Sequence, residues 1–275
     1  MSRRSPPPSE LRVLPVEGLP EVAAGASLGG EIAARAELRD GDVVVVSQKI
    51  VSKAEGRVRR LSSAIPGAEA RRLAALLGKE PALVELILEE SREVLRAERG
   101  VLIVETRHGF VCANAGIDSS NLPEPGTVAL LPEDPDASAR KLRAEISAAI
   151  AGEAGVGLDG HSPSGGPHPR PPSIGVVIGD SFGRAWRLGQ VEVAIGCAGI
   201  VPLDDWRGRA DAAGRELEAT LIAIADQAAA AADLVRDKAS RVPASIVRGL
   251  SRHVTPEDGP GAQGLRRPRD DDLFR

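Results

Sequence analysis

The sequence predicts a mixed α/β fold, and three observations carry that reading. Two short runs, VVVVS at 43–47 and SIGVVIG at 173–179, are apolar and rich in β-branched residues without alternation. Runs of this kind suit strands covered on both faces. Around them lie segments of helical periodicity at 68–77, at 81–90 and after Pro135-Asp136, the interleaving expected of α/β architectures. At 275 residues, 42% hydrophobic and 27% charged, the chain has the balance of a soluble globular enzyme of one large or two modest domains.

Taken in order, residues 1–10 read as a disordered leader, with three consecutive prolines and no hydrophobic period. The domain itself is assigned to 11–275, beginning with LRVLP, a short strand ended by Pro15. Ser27 is expected to cap a helix reaching about Ala36, and Asp40-Gly41-Asp42 turns the chain into the first buried strand. Gly78 suits the end of the 68–77 helix, and Pro81 suits the first turn of the next. VLIVET at 101–106 and GFVCA at 109–113 form a hairpin turning at Arg107-His108. The helix after Pro135 carries Leu142, Ile146 and Ile150 on one stripe. Residues 152–173 hold six Gly, five Pro and three Ser, a flexible insertion whose His161 and His168 read as solvated. Beyond the second buried strand, 214–236 is expected to be the longest helix, with alanine throughout 228–232. VPASIV at 242–247 is a further strand, and a polar segment from Ser251 closes the chain.

Composition excludes several functions. With 35 Lys+Arg against 39 Asp+Glu the net charge is −4, so no global basic field favours nucleic acid or anionic lipid. Three Phe, two Trp and no Tyr leave little for base-stacking platforms. No apolar run approaches the ~18 residues of a membrane span, and MSRRSPPPSE leads into no signal-peptide core. The expected localisation is cytoplasmic. Cys112 and Cys197 have no CxxC partner and sit among small apolar residues, as reduced core thiols do. The four histidines show no zinc spacing, so a metal here would be oxygen-held, Mg2+ or Mn2+.

Three segments look like chemistry. SQKIVSKAEGR, 47–57, empties a buried strand into two lysines, two serines and an arginine. Such a strand end is either an ordinary solvated exit or a site where lysines meet phosphate. In the second, CANAGIDSSN at 112–121, Asp118 and Asn121 are either Asx-turn formers or ligands, Asp118 for a hard cation. GDSFGRAWRLGQ, 179–190, puts Asp180 and Ser181 at the end of a buried strand, where open α/β sheets bind ligands. Arg184 and Arg187 then flank Trp186 in what reads as a glycine-rich loop, either gripping anions or covering a buried Trp. No GxxxxGK[ST] or GxGxxG accompanies them.

These three motifs, in this order, resemble the coenzyme F420-0:L-glutamate ligases, the gamma-glutamyl ligases of F420 biosynthesis. LPVEGLPEV at 14–22, LLPEDPDASA at 130–139, ADLV at 232–235, PASIVRG at 243–249 and the terminal DLF agree as well. The resemblance, which spans about 11–275, implies a mixed α/β fold peculiar to the family and an intertwined homodimer in its stand-alone form. It further implies that L-glutamate is joined to F420-0 with GTP as co-substrate and Mg2+ or Mn2+, two per site, with K+ a further candidate ion. Residue by residue, it places metal ligation on Asp118, Asp180 and Ser181. Nucleotide contacts fall on Leu19, Pro20, Glu21, Val22, Gln48, Lys53 and Asn121, while Arg184 and Arg187 are assigned to the anionic groups of F420-0 or glutamate. Two features depart from the family pattern. The 152–173 insertion is longer, and Arg236-Asp237-Lys238 stands where a glycine is expected after ADLV-x, so no contact is carried over to 236–241. The implied route is an acyl phosphate on F420-0 that the glutamate amine then displaces, with further gamma-linked glutamates as an extension. The competing readings are a metal-dependent phosphotransferase or phosphohydrolase, and a non-catalytic deazaflavin-binding module.

Overall fold

The two apolar runs lie side by side and parallel at the centre of the molecule, as the computed structural model shows for residues 10–155, 172–236 and 239–273. Strand β1 (Arg12–Pro15) leads to helix α1 (Leu28–Ala33) and then to β2 (Val43–Ser47), the first of those runs. Helix α2 (Gln48–Ala54) starts at the very next residue. A second lobe follows, made of β3 (Val58–Arg60), α3 (Ala68–Leu77), α4 (Pro81–Glu89), β4 (Ser91–Glu98), β5 (Val101–Thr106), β6 (Val111–Ala113) and β7 (Thr127–Ala129). Helix α5 (Pro135–Gly155) returns the chain to β8 (Gly175–Arg184) and β9 (Arg187–Ala198). The short hairpin β10 (Leu203–Asp205) and β11 (Leu221–Ala223), helix α6 (Ile224–Asp233) and strand β12 (Ala244–Arg248) complete the fold.

The central sheet runs β1-β12-β2-β8-β9, with only the β2/β8 pair parallel. Side-chain alternation divides its core cleanly. Val44, Val46, Val176 and Ile178 meet Ile32 of α1 and Leu142 and Ile146 of α5 on one face. Val43, Val45 and Val177 meet Ala225, Ala228 and Ala232 of α6 on the other. All four β2 valines are fully buried, each worth about 1.5–3 kcal/mol against exposure, which is why the run shows no polar alternation. A separate core joins α3 and α4 to β5 through Leu73, Leu86, Ile87 and Leu102.

Near its buried end β9 carries one residue more than its partner, and Leu188 and Gly189 are extra at the tip. Ile178 pairs with Gly196 and Gly179 with Ala194, so Ile195 is a bulge. The extra residue resets alternation: Cys197 and Ala194 face the α6 core, whereas Ala198 and Ile195 face the α5 core. Gly196 beside it admits the start of α5, since a Cβ there would lie 2.2 Å from the Pro135 carbonyl oxygen.

Several expectations need correction. Residues 214–236 are not the longest helix; α5 is, and α6 starts only at Ile224. Gly214 takes a left-handed turn at φ +82°, and Leu221–Ala223 pairs with Leu203–Asp205 instead of coiling. The glycine-rich third motif is no loop but a strand hairpin through 175–198. Trp186 stands at its tip, 85% exposed with φ +64°, which overturns the buried-Trp alternative. Ser27 leaves its helix uncapped because its hydroxyl donates to Glu145, and α1 ends at Ala33. Residues 152–155 extend α5. The rest of the insertion up to 171, and the leader apart from Glu10, lie outside the described residues.

Cys112 and Cys197 are buried, at 8% and 1% exposure. Burial pushes both thiols up to about 12, helped at Cys112 by the charge of Asp180. A thiol so raised is uncharged and unreactive at neutral pH. Iodoacetamide at about pH 8 is expected to modify neither cysteine in the folded protein and both in urea, as counted by mass spectrometry.

Candidate functional site

The site grows from the point where β2 stops and α2 begins. Gln48, buried, donates through Nε2 to Ser52 Oγ (2.6 Å) and to the Leu130 carbonyl (2.9 Å). Ser52 Oγ donates to the same carbonyl at 2.6 Å. These bonds fix α2 against the segment that leads into α5, and they commit the Gln48 side chain to structure. Lys49 and Lys53, one helical turn apart, share the adjacent face. Lys49 Nζ donates to Asp118 Oδ2 (2.6 Å), Ser120 Oγ (2.7 Å) and the Ser120 carbonyl (2.8 Å). Lys53 Nζ donates to Glu21 Oε1 (2.6 Å) and the Asn121 carbonyl (3.2 Å). Two lysines on one helix thus gather residues 21, 118, 120 and 121.

Asp118 is held from both sides. Its backbone exchanges two hydrogen bonds with Ala129, of 3.1 and 2.8 Å, and its carboxylate accepts from Ser120 N (2.7 Å) and Ser120 Oγ (2.8 Å). Burial pushes this carboxyl up, but the bonds from Lys49 and Ser120 outweigh it and hold Asp118 below the usual carboxylate range. The turn before it needs glycine at Gly116, where φ is +69° and a Cβ would lie 2.8 Å from Leu131 Cδ2.

A cleft of about 530 Å³ opens beside the lysine face, lined by Glu21, Val22, Lys53, Leu122, Pro123 and Thr127. Of the residues expected to contact nucleotide, Glu21, Val22 and Lys53 line it, and the Asn121 carbonyl reaches it through Lys53. Pro20 is exposed nearby in sequence, whereas Leu19 packs on the α5 core.

Asp180 and Ser181 follow one another on β8, so they point to opposite faces. Asp180 accepts from Ser181 N at 2.9 Å and raises the Cys112 thiol, which places it against β6. Phe182, on the same face as Asp180, meets Phe110 edge to face at 6.1 Å. Ser181 lies directly opposite Glu192 in the ladder. Glu192 in turn accepts from Arg236 Nη2, and each of those side chains is 5% exposed. Burial pulls the Arg236 guanidinium down to about 10, still charged at neutral pH. Arg184 and Arg187 are carried out to the exposed hairpin tip, where Arg184 Nη2 donates to the Leu188 carbonyl at 3.2 Å.

The donor chemistry fits a hard cation. Asp118, Asp180, Ser181 and Ser120 offer only oxygen, and among the described residues no three His, Cys, Asp or Glu gather into a metal-binding group. One or two carboxylates completed by substrate phosphate is the pattern of Mg2+ sites, not of zinc cages. Sequence reasoning set both lysines of the first motif against phosphate but carried only Lys53 into the nucleotide contacts, leaving Lys49, four residues before it, without its Asp118 partner. It also passed over the Glu192–Arg236 pair, for which no local signal exists.

The sequence profile of the F420-0:Gamma-glutamyl ligases matches residues 18–160 and 171–249. The chain belongs to that family. It is similar to the coenzyme F420:L-glutamate ligase of Methanothermobacter thermautotrophicus, 41% identical over 96% of this chain and 99% of that one. The protein of the same name from Methanopyrus kandleri is 42% identical over 96% and 98%, and that from Archaeoglobus fulgidus 43% over 88% of each. All three motifs of the family resemblance fall inside the matched residues: the lysine face, the Asp118 turn and the β8–β9 hairpin.

Proposed function

We propose that this chain is a GTP-dependent ligase that joins L-glutamate to F420-0. Family membership supports the ligase chemistry, as do the names of the relatives. The observation that carries the reading is the lysine face of α2, on which Lys49 holds the Asp118 carboxylate and Lys53 borders a nucleotide-sized cleft. A carboxylate makes no amide unaided, because oxide is too poor a leaving group. In this reading the γ-phosphoryl group of GTP passes to a carboxylate oxygen of F420-0 and GDP leaves. The glutamate nitrogen then attacks the acyl carbon, the C–O bond to phosphate breaks, and the amine proton goes to water. Phosphoryl transfer is mostly positioning and charge neutralisation.

Lys53 places a fixed positive charge beside the phosphates, and Lys49 holds Asp118 in its ionised form. In this reading Asp118 and Asp180 would hold Mg2+ or Mn2+, with Ser181, whose side chain lies on the other face of β8, contributing through its backbone; the ion would neutralise charge on the transferring phosphoryl group. Arg184 and Arg187 at the hairpin tip are assigned to the anionic groups of F420-0, the larger acceptor. Repetition of the cycle on the new carboxylate would add gamma-linked glutamates. Among the described residues no helix is long and apolar enough to cross a membrane, and GTP as co-substrate fits a cytoplasmic site of action.

The test is incubation with GTP, Mn2+, F420-0 and L-glutamate. Glutamate-dependent GDP release with formation of the amide is expected. Release that ignores glutamate would make the protein a phosphohydrolase, and binding without turnover a deazaflavin-binding module.

A homodimer belongs to the same reading. The β8–β9 tip presents Trp186 and Leu188, 85% and 98% exposed, an apolar pair on an arm that a monomer would leave in water. Replacing both, Trp186→Ala with Leu188→Asp, is expected to convert a dimer to a monomer in light scattering. A dimer that persists would place the interface elsewhere.

A further inference from the structure

A second cleft, of about 510 Å³, lies between the β5–β6 turn, the start of α5 and the 263–266 segment. We propose that it binds an α-amino dicarboxylate, the amino-acid substrate of the ligase reading, on which this inference rests.

The lining carries both signs of charge, and most of it is committed. Arg57 donates to Glu90 (2.8 Å) and to the Leu131 carbonyl (3.0 Å). Asp134 accepts from Ala137 N (3.0 Å) at the start of α5, and Asp136 accepts from Cys197 N (2.9 Å) and Ala262 N (2.7 Å). Arg266 donates to the His108 carbonyl and lies 5.5 Å over the Phe110 ring. Against this fixed frame, the Arg107 guanidinium and the Glu133 carboxylate line the cleft without a hydrogen-bond or ion-pair partner among the described residues. One uncommitted cation and one uncommitted anion match a zwitterion: the α-carboxylate to Arg107, the ammonium to Glu133. Arg92 and Arg140 line the same cleft and hold their own acids only at 3.8 and 3.9 Å, so a second carboxylate has donors to meet.

His108 adds an independent sign. Its Nε2 lies 2.9 Å from the Pro132 carbonyl, to which it donates. Its Nδ1 is buried with no partner, a costly state that calls for an explanation. Burial favours the neutral ring, which leaves Nδ1 an unmatched acceptor just behind the cleft wall that His108 forms.

Other ligands fit less well. The lining sets Glu90, Glu133, Asp134 and Asp136 among five arginines, a mixed field that matches a zwitterion better than the uniformly anionic phosphates of a nucleotide. A deazaflavin would want an open aromatic face, yet Phe110 is stacked on His108 at 5.9 Å and covered by Arg266. Phe110 also meets Phe182 of β8, which joins the cleft wall to the strand that carries Asp180.

The test uses Arg107→Gln and Glu133→Gln in the full chain, with steady-state titration of each substrate and calorimetric titration of L-glutamate. Each variant is expected to weaken L-glutamate by about ten- to a hundredfold, both in KM and in direct binding. KM for GTP and F420-0 and the Tm should hold. A rise in the KM of F420-0 instead would assign the cleft to that substrate and overturn the proposal, as would unchanged glutamate kinetics and binding. If the wild type itself shows no glutamate-dependent GDP release, the ligase reading fails. Calorimetry on wild type and variants then still decides whether the cleft binds the amino acid.

Discussion

Asp118→Ala and Asp180→Ala should each lower ligation turnover by at least about a hundredfold, the loss typical when one group that neutralises transition-state charge is removed. Neither change should unfold the protein. Lys49 keeps the Ser120 carbonyl and hydroxyl at 2.8 and 2.7 Å when Asp118 is gone, and the Asp118 backbone bridge to Ala129 is untouched. Rapid quench with labelled GTP, beside a thermal melt, separates chemistry from folding. Near-wild-type turnover in Mn2+ would remove that aspartate from the site. Asp118→Asn is the sharper probe, because it keeps shape and loses charge. The native carboxyl is held low, so its contribution to stability is complete above the unfolded value of about 3.9 and disappears as pH falls through the lower native value. Wild type and Asp118→Asn should therefore differ in Tm at neutral pH and converge in strong acid.

Arg236→Ala should be the most destabilising single change, costing about 3–5 kcal/mol, because it leaves Glu192 charged and alone in a buried place. For a chain of this size that is a fall of roughly 10 °C in Tm. Burial already pulls the guanidinium down to about 10, so the pair's attraction only partly offsets its desolvation. Removing both charges with Glu192→Leu and Arg236→Met should accordingly recover most of the loss. Urea melts of the two single variants and the double give the coupling directly. If Arg236→Ala melts with the wild type, the pair is not closed in solution.

What could be read from the sequence was local. VVVVS announced a strand buried on both faces because both layers, α5 and α6, press on it. Helices α3 and α4 were legible through Gly78 in the left-handed region and Pro81 at the first turn. What escaped was set by partners distant in the chain. Alanine-rich 214–236 carries helix propensity throughout, yet Leu221–Ala223 answers to Leu203–Asp205. GDSFGRAWRLGQ looks like a loop by its glycines, yet cross-strand pairing holds it as a hairpin. At the site, the Asp118 turn and the lysines were visible one by one, but their union depends on α2 facing a loop some seventy residues away. The second cleft draws on Arg57, on Glu90 to Phe110, on Glu133 to Arg140 and on Gln263 to Arg266. No short window of sequence could announce it.

The extra residue at Ile195 also sets rules for inheritance. Beyond it, the count of residues along β9 decides that Glu192 shares a face with Ser181, and along β8 that Asp180 shares one with Phe182. Losing one residue from either strand between the bulge and the tip would swap those faces wholesale, since side chains alternate with period two. Point substitutions can therefore accumulate along the arm, but single-residue gaps cannot. Descendants of this sequence are free to vary in length only at the tip, 185–189, where the chain reverses and Leu188 and Gly189 have no partner across the ladder.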